Sequence, residues 1–473
     1  MLFNTFEYVV FLAATVAAYY TLSDVRHRMI VFLTASYLFY SVWSVPYTLL
    51  MAGTTCWYYF VGAAIGAAGE DENKRRFWMI VGVTVSLGVL VYYKYMLFFT
   101  VSLLDTLGVI GIRLDRPEWS VILPLGISFH TFQGVSYAVD VYRRTTPPTR
   151  SFLFFAVYSS FFPQLIAGPI ERKGDVLPQL QTRQDFNWDN FNGGITLILI
   201  GLLKKVVIAD NMAAFADPIF ANPSNYSSFE LLAGAYAFSL QIFFDFSAYS
   251  QIAIGSARLF GINLSQNFDA PYLALNIVDF WRRWHMTLSR WLRDYLYISL
   301  GGSRISPRRT YINLFVTMVL GGLWHGANWT FVIWGAYHGA LLSITHYLRE
   351  RHADRIEPPM TPLRRALLVV GTFHLVTLGW IIFRAPNMEA AFAYMIGLVG
   401  NLGIAVSPRA LLAMQLIIAV AVIWTIHHFC HRHIAAFLRT SPVYVRAACL
   451  VAVLVALAAG ADSGIGKFIY FEF

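Results

Sequence analysis

Apolar runs long enough to cross a bilayer recur along the whole chain, and nothing constrains its fold more. Crossing the hydrocarbon takes about 20 residues of helix. Such runs fall near 3–20, 29–45, 47–66, 77–100 and 121–140, then near 194–209, 230–254, 311–325, 328–347, 366–383, 411–429 and 443–460. At that depth backbone groups have no water to bond, so helices are the form these runs take. The chain therefore reads as an all-α polytopic membrane protein with about 10–12 transmembrane helices, some of them re-entrant or interfacial. Composition agrees. Hydrophobic residues make up 57% and charged residues 13%, against about 25% charged in soluble domains. Residues 1–473 are expected to form a single integral membrane domain.

The net charge of +9 reflects the cytoplasmic bias of Lys and Arg in membrane proteins, not a nucleic-acid surface. Arg26 and Arg28 follow the first run, Lys74, Arg75 and Arg76 the third, and Arg143, Arg144 and Arg150 the fifth. The segment from Arg258 to Arg309 is richest, and Arg349 to Arg365 is another block. One orientation gathers most of these on one side, which puts the N-terminus outside the cytoplasm. The start, MLFNTFEYVVFLAATVAAYY, lacks the basic n-region of a signal peptide and reads as a retained span. On an even span count the terminal FIYFEF lies outside as well. Cys56, Cys430 and Cys449 have no CxxC spacing; they give no disulfide framework or zinc site and read as small core residues.

Several stretches depart from plain spans. Lys204 and Lys205 interrupt the run from Ile195 to Ile208, which suggests an interfacial segment with snorkelling lysines. Residues 157–170 are apolar, too short to cross, and broken by Pro163, Gly168 and Pro169. They read equally as a cytoplasmic turn or as a re-entrant segment, since irregular backbone survives at depth only when protein or a wet cavity surrounds it. Asp245 sits inside the apolar run Phe243–Gly261. An intramembrane carboxylate is a functional candidate, although a packing hydrogen bond to Ser247 or Tyr249 is the favoured reading. Along 276–297, Trp281, Trp284, Leu288, Trp291, Leu292 and Tyr295 gather on one helical face and Arg282, Arg283, Arg290 and Arg293 on the other. That pattern predicts one interfacial amphipathic helix, with His285 about 40° from Trp281 on its apolar side.

The stretch with most chemistry in it is Gly321–Gly339, GGLWHGANWTFVIWGAYHG. A neutral imidazole suits the removal of a proton from an attacking hydroxyl, and the glycines let a backbone or ligand come close. His325 is the foremost candidate for that base. A packed core histidine is the alternative, and for His285 the two readings stand even. His427, His428, His431 and His433 read as an interfacial basic patch in a cytoplasmic loop beside Arg432 rather than a metal site, because no Cys or carboxylate spacing completes a ligand set. Walker A, GxSxG, HExxH and GxGxxG motifs are all missing.

FFPQLIAGPIER, FFDFSAYSQIAIGSARLFGI, NFDAPY, DFWRRWHMTLSRWLRDYLYISLGG, GGLWHGANWTFVIWGAYHG and FIYFEF together resemble the membrane-bound O-acyltransferase family, most of all its bacterial alginate O-acetyltransferase branch. The resemblance covers residues 124–473; residues 1–120 match only in hydrophobic character. It implies a central helical funnel. The histidine of the WHG motif, His325, would be the catalytic residue, with His285 at the upstream polar position and His338 in a supporting role. Residues expected to contact substrate are His338, Trp324, Asn328, Trp284, Gln164 and Asp245. It further implies a cytoplasmic thioester donor, acetyl-CoA or an acyl-carrier thioester, with no metal and no tightly bound cofactor. The acyl group would cross the bacterial inner membrane for O-acetylation of an exported polysaccharide, alginate or a similar one, with a periplasmic SGNH-type acetyltransferase as partner. Within the family, D-alanyl transfer to teichoic acid and acetyl transfer to peptidoglycan or cellulose are the alternatives. From other classes come a proton-coupled transporter or flippase using His325, His285 and Asp245 as a relay, and a silent secretion scaffold. An internal inverted repeat would favour the transporter, and the sequence shows none.

Overall fold

Short polar residues stop and start the helices where the apolar runs begin. Thr5, Asp24, Asp71, Ser306, Thr361, Asn387 and Ser407 each cap a helix by accepting a backbone N–H three residues on, which satisfies a donor the helix cannot. Pro307, Pro362 and Pro408 follow three of these caps in the first turn, where a missing N–H costs nothing. The computed structural model describes residues 1–117, 122–166, 168–351, 360–461 and 468, and every element in it is helical. The tail FIYFEF, Phe468 apart, lies outside the described residues.

Among the described residues, seven helices are long and apolar enough to cross a membrane: Val45–Ala67, Glu72–Val109, Trp188–Ala221, Ser228–Leu259, Pro362–Arg384, Pro408–Cys430 and Val443–Gly460. Phe6–Thr21 and Met388–Gly400 are shorter apolar helices. The chain is a multi-pass membrane protein. It forms two compact units, Met1–Ile198 with Ser250–Gln266, and Leu199–Tyr249 with Asn267–Phe473.

In the first unit, an aromatic cluster of Tyr8, Phe11, Phe39 and Phe162 packs at ring separations of 5.1–6.3 Å. The Tyr8 hydroxyl donates to Ser256 at 2.8 Å. The broken stretch contains a helix of only four residues, Phe162–Leu165, all buried, so its irregular backbone is wrapped in protein, as the dielectric requires.

In the second unit, the helices Pro307–His325 and Trp329–Arg351 form a tight hairpin. A Cβ added at Gly322 would lie 2.2 Å from the Phe331 carbonyl oxygen, and one at Gly335 would lie 2.4 Å from that of Met318. Small residues of this kind are what let helix backbones touch in a membrane. Gly322→Ala is therefore expected to wedge the hairpin apart and lower the melting temperature of the detergent-solubilised protein, read by fluorescence size-exclusion after heating. An unchanged melt would mean the hairpin yields. Glu230 ties two helix starts together: it accepts from the Ser227 N–H and hydroxyl, and also from the Ser407 hydroxyl.

Three sequence expectations change. Lys205 does not snorkel; its side chain is 2% exposed and ion-paired. Lys204 lies 6.0 Å over the Phe243 ring. Cys56 and Cys449 are exposed and Cys430 partly so, on outer helix faces where apolar sequence is solvated by lipid rather than by core. The four histidines from His427 to His433 lie on the helix Pro408–Thr440 rather than in a loop, and no metal-binding group occurs among the described residues.

Candidate active site

The predicted helix over 276–297 is broken at its most interesting residue. Ile277–Arg283 and Met286–Trp291 are separate short helices, followed by a π-turn over Leu292–Tyr297. His285 stands between them with φ 41° and ψ 56°, a left-handed conformation uncommon outside glycine. The helical-wheel placement of His285 beside Trp281 is thus overturned, because the chain turns a corner there. The two-faced pattern survives within each half. All six residues of the apolar face are buried, whereas Arg282, Arg290 and Arg293 are exposed and Arg283 is half-buried.

The corner fixes the state of the imidazole. His285 caps the second short helix, its Nδ1 accepting the Leu288 N–H at 3.2 Å. A nitrogen that accepts carries no proton, so in the neutral ring the proton is on Nε2. Burial pushes the imidazole down to about 3, which keeps it neutral at working pH. His285 is therefore built as a hydrogen-bond donor through Nε2, and is poorly suited to act as a base.

His325 ends the helix Pro307–His325. Between it and His285 stands Trp324, its ring 6.1 Å from His285 and 5.0 Å from His325, edge-on to both. Trp334 and Phe383 close the other sides of His325 at 5.1 and 5.3 Å. Phe246 packs edge-on against His285 at 4.6 Å. His285 is 0% and His325 4% exposed. The result is two imidazoles, from different segments, flanking one indole inside aromatic walls.

Other expected site residues fall elsewhere. His338 is fully buried, with the Trp334 ring standing at 4.9 Å between it and the His325 side of the site. Neither of its ring nitrogens bonds a described residue. Trp284 packs against Phe280 and Trp380 at 5.6 and 4.9 Å. Asn328 accepts from the Thr330 N–H and donates to the Pro386 carbonyl, which fastens the hairpin turn. Gln164 belongs to the first unit, buried and donating to the Tyr158 carbonyl. Asp245 forms an ion pair with Lys205 at 2.9 Å, a partner the sequence reading did not name. Sequence reasoning missed Trp334, Phe246 and Phe383, aromatic residues in apolar runs whose site-facing role no local pattern marks.

Residues 143–378 match the family model described as membrane-bound O-acyltransferase. Among curated relatives, the probable alginate O-acetylase AlgI of Pseudomonas aeruginosa is 45% identical over 82% of this chain and 72% of its own length. The peptidoglycan O-acetyltransferase of Helicobacter pylori is 40% identical over 78% of this chain and 73% of its own. The teichoic acid D-alanyltransferase of Bacillus subtilis is 31% identical over 57% of this chain and 70% of its own. With identity sustained at that level over most of its length, the chain belongs to the membrane-bound O-acyltransferase family and is an acyltransferase.

Proposed function

We propose that this acyltransferase takes an acetyl group from a cytoplasmic thioester and passes it across the bacterial inner membrane for O-acetylation of an exported polysaccharide. The observation that carries the reading is the division of labour between two buried histidines. His285 presents an Nε2–H donor, and His325 is left to be the base. The acceptor hydroxyl adds to the thioester carbonyl, and its proton goes to His325. The C–O bond forms as the C–S bond breaks, and the proton passes from His325 to the departing thiolate. His285 Nε2–H bonds the carbonyl oxygen as negative charge develops there, inside a dry aromatic pocket where such a bond counts most.

Donor and acceptor rest on chemistry and on the relatives. Arg282, Arg290, Arg304, Arg308 and Arg309 are all exposed in the second unit, a basic surface suited to acetyl-CoA or an acidic acyl-carrier thioester. The clustering of Lys and Arg in these segments supports a cytoplasmic position for this face and an N-terminus outside the cytoplasm. Relatives named for alginate and peptidoglycan O-acetylation support acetyl delivery to a polysaccharide such as alginate, through a periplasmic SGNH-type acetyltransferase. Substrate contact is assigned to Trp324 between the histidines, with Trp284 and His338 packed behind the aromatic wall and Asn328 and Asp245 holding the elements around it.

The test uses proteoliposomes with labelled acetyl-CoA outside and alginate with an SGNH-type partner inside. Label is expected to enter the polysaccharide fraction, dependent on the protein. Absence of transfer from both acetyl-CoA and an acetylated carrier protein would overturn the reading.

A further inference from the structure

A π-turn over Leu203–Ala209 lies in the middle of the helix Trp188–Ala221. On a regular α-helix, residues five apart point about 140° from each other, so Lys205 and Asp210 would face different ways. The wider turn closes with the Asp210 N–H on the Lys205 carbonyl and brings both onto one side. Lys205 Nζ then lies 2.8 Å from Asp210 and 2.9 Å from Asp245 of the helix Ser228–Leu259. The three side chains are 2%, 9% and 3% exposed. Ionisable groups at membrane depth mark functional places, as do π-turns, and the acyl-transfer chemistry derived above uses none of the three.

Their position along the helix suggests the use. The residue after Asp245 is Phe246, fully buried, whose ring abuts His285 at 4.6 Å. One turn on, Tyr249 lies 5.9 Å from Lys205 Nζ, and Phe468 packs on both rings, 5.9 Å from Phe246 and 4.2 Å from Tyr249. Adjacent residues on a helix move together. A helix held at Asp245 is held at Phe246, and the imidazole beneath it cannot shift.

We propose that Lys205 is a positioning residue for acyl transfer: by pinning Asp245 it fixes the helical turn that sets Phe246 against His285. The inference rests on the reading of His285 as the carbonyl donor. Misplacing a reacting group by about 1 Å costs about 10²-fold in rate, so slack at this pin appears in kcat.

The test is the acetyl-CoA transfer assay on the full-length protein in nanodiscs. Lys205→Met is expected to lower kcat by about 10- to 10²-fold with KM for acetyl-CoA little changed, and Lys205→Arg to recover most of it. Lys205→Met leaves buried carboxylates without their cation, which can itself unfold a protein. The uncharged combination Lys205→Met, Asp210→Asn, Asp245→Leu removes that cost. It is expected to melt no lower than the parent while kcat stays depressed, and Phe246→Leu added to it should cause no further loss. Parental kcat in the combined variant, or a Phe246→Leu effect that multiplies with it, overturns the proposal. Should His285→Ala leave kcat unchanged, the donor reading of His285 falls and this inference with it. If His285→Ala lowers kcat and the Lys205 set does not, only this inference fails.

Discussion

His325→Ala is expected to cut acetyl transfer by about 10²- to 10⁴-fold, the range for losing a general base, in a protein that still folds. The imidazole is 4% exposed among Trp324, Trp334 and Phe383. Truncation there removes a polar group whose burial the fold had to offset, and leaves rings that already contact one another: Trp334 and Phe383 lie 5.2 Å apart. The gel-filtration profile and melting temperature should therefore stay near parental while kcat collapses. Transfer surviving the substitution would remove His325 from the chemistry, and loss of folded protein would make it a packing residue.

At His285 the largest contrast lies between two replacements. Alanine loses the cap on the Leu288 N–H, worth about 1 kcal/mol, and sits badly at φ 41°. It also removes the Nε2–H donor, and loss of one such donor costs about 10²- to 10³-fold in kcat. Asparagine tolerates the left-handed backbone. Its carbonyl oxygen can take the cap and its amide can donate to the thioester oxygen. His285→Asn should keep about a tenth or more of the parental kcat, against the 10²- to 10³-fold loss for alanine. If asparagine is as inactive as alanine under the same acetyl-CoA assay, the donor role is wrong, and a base or nucleophile would have to be sought in its place.

How much of this was legible depends on the range of the interactions. The spans were readable because lipid imposes one rule on every residue that faces it. The two faces of the 276–297 segment were readable for the same reason, since burial of Trp281 and Trp291 is decided within each short helix. The corner at His285 was not, because neither Trp284 nor Met286 is a residue that signals a left-handed turn. Asp245 stood out as a charge in an apolar run, but the cation it pairs with came from a π-turn that reset the facing of Lys205. A wheel drawn at 100° per residue cannot show that pairing; the five-residue spacing from Lys205 to Asp210 was the available clue. The flanking of Trp324 by two imidazoles joins segments 39 positions apart, Trp324 and His285, and no local periodicity reaches so far. The resemblance named both histidines. It could not say which carries its proton where.

The carboxylate of Glu230 has a schedule as well as a place. Its partner Ser407 lies 177 residues downstream, and chains are synthesised at about 5–20 residues per second. For about 10–35 s of every molecule's birth, Glu230 can satisfy only its near neighbour Ser227. During that interval a long, polar-studded helix is already inserted while one of its end contacts does not yet exist. Ribosome stalling between the two positions should trap a form in which a cysteine introduced at the start of that helix is open to labelling, and release should close it. The clamp is thus a late event in biogenesis, closed only after Ser407 has been made.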